Sequence, residues 1–209
     1  SIGNGTTLNL GTGSYTLTLT GTGTPITTNT SGTFSKGTGS TVNYTGTTTA
    51  TNVVTLAYNS LSFNPTAGTT YSLTANLTVG NALTGSMTIG ANATLDATAS
   101  NYNISLAGNW SNSGAFTAQN TTVTLNGTNQ TISGNTTFNN LTKQVTSAYT
   151  LTITAGSTQT ITGALTLNGA ASQLLMLRSS SNGTSWNLVL NGSATVAYCD
   201  VRDSNLTVN

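Results

Sequence analysis

The chain has 209 residues, of which 121 are Thr, Asn, Ser or Gly, and seven carry charge: Lys36, Lys143, Arg178, Arg202, Asp96, Asp200 and Asp203. With no histidine and no glutamate, the usual catalytic triads and most metal-ligand sets are excluded. Four scattered cations and a net charge of +1 cannot supply the repeated phosphate contacts that hold nucleic acid, so no nucleic-acid partner is expected.

Along the chain, apolar residues recur with a period of two, the signature of strands with one buried face. Leu8-Asn9-Leu10 comes first, and then Tyr15, Leu17 and Leu19 alternate with Thr16, Thr18 and Thr20. The alternation returns at 42–44, 61–63, 71–73, 77–79, 87–89, 102–106, 123–125, 149–153, 165–167 and 188–190, and closes on Leu206-Thr207-Val208. Turn chemistry separates these runs, as at Gly21-Thr22-Gly23, Asn126-Gly127 and Asn168-Gly169. No stretch of good helix formers is long enough to predict a helix. The longest purely apolar run, Leu174-Leu175-Met176-Leu177, is far too short to span a bilayer.

An apolar share of 35% lies below the usual globular range and suits a thin, repetitive core better than a wide one. Three strands of about eight residues give a coil of about 24 residues, and about eight or nine coils in all. The expected fold class is therefore all-β, a parallel β-helix (β-solenoid), with β-sandwich repeats as the alternative. Internal similarity points the same way. Segments 14–19 and 101–106 match, as do 31–34 with 113–116, 41–44 with 122–125, and 58–61 with 138–141, at offsets of 87, 82, 81 and 80 residues. These define one elongated domain over 1–209 with a degenerate repeat of roughly eighty residues (about 34–115 and 116–195), each copy spanning about three coils.

Several motifs carry a family resemblance. They are the run from Leu106 to Phe116 (Leu-Ala-Gly-Asn-Trp-Ser-Asn-Ser-Gly-Ala-Phe), Thr122-Val123-Thr124-Leu125-Asn126-Gly127, Gln130-Thr131-Ile132-Ser133-Gly134, Phe138-Asn139-Asn140-Leu141 and the segment 196–204. Over about residues 100–205 the chain resembles microbial surface proteins of the adhesin type, built as right-handed, pectin-lyase-like parallel β-helices. That resemblance implies an architectural or adhesive role.

Chemistry-bearing residues are few. Asp200 and Asp203 are the one close carboxylate pair, but a spacing of three puts them on opposite faces of a strand, while Arg202 shares a face with Asp200. A surface ion pair or a turn cap is expected there, not an enzyme site, and no cofactor is implied. Trp110, flanked by Asn109 and Ser111, reads as a ring in a polar loop and a candidate for stacking on surface glycans. Asn109, Asn126 and Asn182 head Asn-x-Ser/Thr sequons in turn-like sequence and are the candidate N-glycosylation sites. Cys199 is the only cysteine, so no intrachain disulfide forms; Tyr198 and Val201 beside it suggest a small buried hydrophobe.

Neither end shows an obvious cap, and an uncapped solenoid end invites another chain. The terminal strands, through Leu8, Leu10, Leu206 and Val208, are therefore the expected assembly contacts. Few charges leave little repulsion between copies. The functional expectation is a structural protein, extracellular or at the cell surface, that polymerises with copies of itself end to end. The alternative is an adhesin or carbohydrate-binding β-helix segment of a larger surface protein.

Overall fold

The computed structural model describes residues 1–47 and 50–209. Threonine, the commonest residue, is branched at Cβ, which restricts it in a helix and suits a pleated strand. Glycine and asparagine interrupt every longer run. In keeping with this, no described residue is helical and no strand exceeds five residues.

The strands of the described residues wind through nine coils. The first holds β1 (Thr7–Asn9) and β2 (Thr16–Leu19), the second β3 (Thr33–Ser35), β4 (Thr41–Tyr44) and β5 (Thr51–Val53). Coil three holds β6 (Ser60–Phe63) and β7 (Thr69–Leu73), and coil four β8 (Met87–Ile89) and β9 (Ala93–Asp96). Coil five holds β10 (Ile104–Leu106), β11 (Trp110–Asn112) and β12 (Ala115–Thr117). Coil six holds β13 (Thr122–Leu125), β14 (Gln130–Ser133) and β15 (Thr136–Phe138). Coil seven holds β16 (Asn140–Gln144), β17 (Tyr149–Ile153) and β18 (Thr158–Ile161). Coil eight holds β19 (Ala164–Asn168), β20 (Leu175–Ser179) and β21 (Trp186–Leu190), and coil nine β22 (Ser193–Ala197), β23 (Cys199–Val201) and β24 (Ser204–Val208).

Strands at the same place in successive coils pair side by side and build three walls. The second wall runs unbroken through all nine coils, in the order β2-β4-β6-β8-β11-β14-β17-β20-β23. The first begins as β1-β3 and resumes as β10-β13-β16-β19-β22; the third runs β5-β7-β9-β12 and then β15-β18-β21-β24. In coil four, Leu77 and Leu83 bridge to Ile104 and Leu106 and stand in for a first-wall strand. Every ladder between these strands is parallel. The fold is thus an all-β parallel solenoid. Sandwich repeats, which are made of antiparallel hairpins, are excluded.

Parallel register sorts side chains into columns. On the inner side of the second wall Leu17, Val42, Leu61, Met87, Trp110 and Ile132 lie one above another, all but Leu17 buried. Full burial of an apolar side chain of this size stabilises by roughly 1.5–3 kcal/mol. The outer side carries the alternate residues, Thr18, Asn43, Ser62, Thr88, Ser111 and Ser133, in a polar column of the same height.

Tyrosine hydroxyls that enter the core find partners, as burial favours, while the Thr51 hydroxyl, Gln159 Oε1 and Trp186 Nε1 are buried without one. Tyr44, Phe63 and Tyr71 pack with ring centroids 5.0–6.0 Å apart. The Tyr44 and Tyr58 hydroxyls meet at 3.1 Å, Tyr58 donates to the Val54 carbonyl at 2.7 Å, and Tyr71 donates to that of Gly46 at 2.9 Å. At the corners, asparagine carboxamides continue the ladder. Asn103, Asn109, Asn135 and Asn140 accept from the backbone N–H of Thr122, Thr131, Thr158 and Ala164 respectively, each at 2.8 Å and each in the following coil.

The eighty-residue repeat does not follow the stacking. β2 is in the second wall but its match, β10, is in the first; Phe34 is in the first wall and Phe116 in the third; β4 is in the second and β13 in the first. Every matched segment is displaced by one wall, so the repeat is one of strand-and-turn grammar and not of whole coils. The cause lies in the corners: from one second-wall strand to the next, paired residues are separated by as few as 19 positions (Thr41 to Ser60) and as many as 26 (Leu61 to Met87).

Gly134 shows how closely coils approach. It follows β14 with φ of 77°, and a Cβ there would overlap the Asn112 carbonyl oxygen in the preceding coil. Gly134→Ala is expected to destabilise the chain by about 1–3 kcal/mol, measured as a lower midpoint of urea unfolding; an unchanged midpoint would contradict the tight seating of coil six on coil five.

Candidate functional site

At the last rung, β22, β23 and β24 each pair on one side only, with β19, β20 and β21. Their outer edges present unpaired backbone groups. Alternation turns Val196, Val201, Leu206 and Val208 toward the solenoid interior, but no coil covers them here, and they are 52%, 45%, 61% and 65% exposed. Val196, Val201 and Leu206 line a hollow of about 180 Å³, walled deeper in by Leu167, Leu177 and Leu188. At the first rung β1 pairs only with β3 and β2 only with β4. Leu8 and Leu10 are half-buried there against the core, and the Leu10 N–H donates to the Ser35 carbonyl at 2.9 Å.

The four expected assembly residues therefore fall at opposite ends of the solenoid, Leu206 and Val208 on the open rung and Leu8 and Leu10 half-covered at the other. Val196 and Val201 belong with the first pair and were not singled out from sequence. Their signal was present in the alternation of 194, 196 and of 199, 201, in phase with the buried columns.

Trp110 is not a surface ring. It is fully buried in β11, its centroid 5.0 Å from that of Phe116 and 5.3 Å from that of Phe138, with its Nε1–H donating to the Thr136 hydroxyl at 3.1 Å. A ring with neither face open cannot stack on a sugar, so the glycan-binding expectation at Trp110 is corrected. Its polar neighbours misled: Ser111 points outward, while Asn112 is buried and donates to the Asn135 carbonyl at 3.1 Å. Asn109, Asn126 and Asn182 are exposed and lie outside strands, Asn109 with its carboxamide oxygen committed to Thr131.

Among the charged groups, Asp200 pairs with Arg178 on the neighbouring rung and, at 3.7 Å, with Arg202. The Arg202 contact follows from shared parity; the closer one, to Arg178, depends on register and was not legible. Asp203 occupies a left-handed turn, φ 52°, and its carbonyl accepts from the Trp186 N–H. Among the described residues no three of His, Cys, Asp or Glu come together. Cys199 is half-buried with a free thiol that donates to the Leu167 carbonyl at 3.3 Å, and burial raises its pKa.

Sequence reasoning passed over Lys143, which is completely buried. Its Nζ donates to the carbonyls of Gly127 (3.0 Å) and Thr128 (3.1 Å) and to Gln130 Oε1 (2.7 Å). Burial lowers its pKa from 10.5 to about 8. No family model, curated protein or solved structure matches the chain, and no described helix is long and apolar enough to cross a membrane.

Two outcomes follow from these environments. Trp110→Ala is expected to cost about 3–5 kcal/mol of stability, seen in urea unfolding; an unchanged midpoint would contradict its burial. For Lys143, the unfolded chain holds the proton more tightly than the folded one, so stability rises with pH from about 8 upward. Above pH 10 the opposite sign enters, because burial raises Tyr44 and Tyr71 from 10 to about 12. Melting curves between pH 8 and 10 should show the rise, and Lys143→Met should flatten it; a flat profile in the unaltered chain would count against a desolvated ammonium.

Proposed function

We propose that this chain is a non-enzymatic structural protein of the cell exterior whose copies add end to end into a filament, fibre or coat. The observation that carries this reading is the construction of the solenoid, in which each rung pairs its strand edges and covers its inward apolar side chains only against another parallel rung, as β22, β23 and β24 do on β19, β20 and β21. Exposed edges and apolar side chains are relieved together when another parallel rung is added. The β1 and β2 edges of a second copy run in the direction such a rung needs. Because that contact joins unlike ends, it propagates instead of closing. A net charge of +1 adds little repulsion between copies, and the resemblance to microbial surface β-helices supports an extracellular setting.

The alternative, an adhesin or carbohydrate-binding segment, draws support from the outward polar columns such as Thr88, Ser111 and Ser133, which offer neutral hydroxyls for glycan hydrogen bonds. Glycan-array binding by a strictly monomeric chain would favour it.

Electron microscopy and sedimentation of the purified chain are expected to show unbranched filaments. Leu206→Lys with Val208→Lys should return monomers whose circular dichroism is unchanged. Monomers at every concentration would overturn the proposal. So would assembly that disappears when further coils are added beyond residue 209.

A further inference from the structure

One buried polar cluster has no part in the proposed end-to-end contact. Lys143 lies in the inner column of the first wall between Leu125 and Leu167, with Leu106 and Val196 further along. It is the one charged member of an otherwise aliphatic column. Its three ammonium protons meet three acceptors, the Gly127 and Thr128 carbonyls and Gln130 Oε1, all in coil six. Gln130 in turn donates to the Leu106 carbonyl at 3.1 Å and the Gly108 carbonyl at 2.5 Å in coil five, and its Oε1 accepts from the Gly127 N–H at 3.0 Å. Coils five, six and seven are thus tied through the interior by one fully satisfied polar chain that contains no carboxylate.

Such a tie answers a difficulty created by the sequence itself. In three successive first-wall strands the central triplet is aliphatic-Thr-aliphatic or its close relative: Val123-Thr124-Leu125, Leu141-Thr142-Lys143 and Leu165-Thr166-Leu167. A slip of one residue would turn the apolar side outward and is penalised. A slip of two keeps every apolar residue inward and every threonine outward, so apolar burial scarcely opposes it. It would, however, carry the ammonium about 6.6 Å from its acceptors and strand it among aliphatic side chains. A leucine at 143 would complete the column with a smaller desolvation cost, but it would not distinguish the two registers.

We propose that Lys143, acting with Gln130, is a register lock that fixes how coil seven seats on coil six. The test uses outward-facing cysteine pairs in a full-length Cys199→Ser background. Thr124→Cys with Thr142→Cys reports the native register, in which those residues are partners. Thr122→Cys with Thr142→Cys, and Thr124→Cys with Asn140→Cys, report two-residue slips in either direction, since a diagonal pair is about 8 Å apart in the native register and beyond disulfide reach.

With Lys143 present, only the native pair is expected to cross-link under mild oxidation. In Lys143→Met the slipped pairs should rise by about tenfold or more, the population change that one charge-assisted hydrogen bond controls. A Lys143→Met chain that folds and still cross-links only in the native register overturns the lock. If that variant does not fold, the double change Gln130→Met with Lys143→Met, which removes donor and acceptor together, is read by the same pairs. Failure of both to fold would make Lys143 a requirement for stability instead of register, and would equally overturn the proposal.

Discussion

A single coil of this protein cannot bury its own apolar side. Each turn contributes a few inward side chains and two or three short strands, and only the coil before and the coil after can cover the one and pair the other. That dependence accounts for the rest of the molecule. Pairing must be parallel because the chain always returns to the same wall in the same direction. The core is narrow, one column of side chains deep along each wall, so a sequence with an apolar share of 35% suffices. Where no neighbour is present, as at β22, β23 and β24, the same inward residues become an exposed apolar ring.

A chain this rich in hydroxyl and amide groups limits unpaired polar burial by spending many of those groups on the joints between coils. Asparagine oxygens at the corners accept an N–H at or near the start of a strand in the next coil, extending the ladder where strands stop. Tyrosine hydroxyls reach carbonyls along the core. Lys143 and Gln130 bridge three coils on the inside. At outward strand positions such as Thr18 and Thr88, the branched Cβ of threonine favours the strand while its hydroxyl keeps the outer face polar. High Thr and Asn content is therefore part of how the solenoid is built.

Much of this was legible from the period of two. Leu17 and Leu19, Val123 and Leu125, and Leu165 and Leu167 all turn inward as their alternation requires. What escaped was whatever depends on which strand lies beside which. Corners of unequal length allowed an offset near eighty residues to match β2 with β10 although the two occupy different walls. Trp110 was judged by its neighbours Asn109 and Ser111, when its parity with Asn112 placed it inside. Lys143 sits two residues from Leu141, in phase with an apolar column, and a cation at an inward position was the available warning. The Arg178–Asp200 pair joins residues 22 apart and required the register itself.

The solenoid stacks nine rungs in one direction. Thr16 on β2 and Arg202 just past β23 share an outward column of the second wall, with Thr41, Ser60, Thr131, Thr152 and Arg178 between them. Nitroxide labels at Thr16→Cys and Arg202→Cys, in a Cys199→Ser chain diluted with unlabelled protein, report that span by pulsed dipolar spectroscopy. Eight inter-strand steps of about 4.8 Å predict a separation centred near 38 Å, before allowance for the label tethers. A narrow distribution at that distance is the expected result. One centred below about 25 Å, five steps or fewer on the same spacing, would contradict the stack.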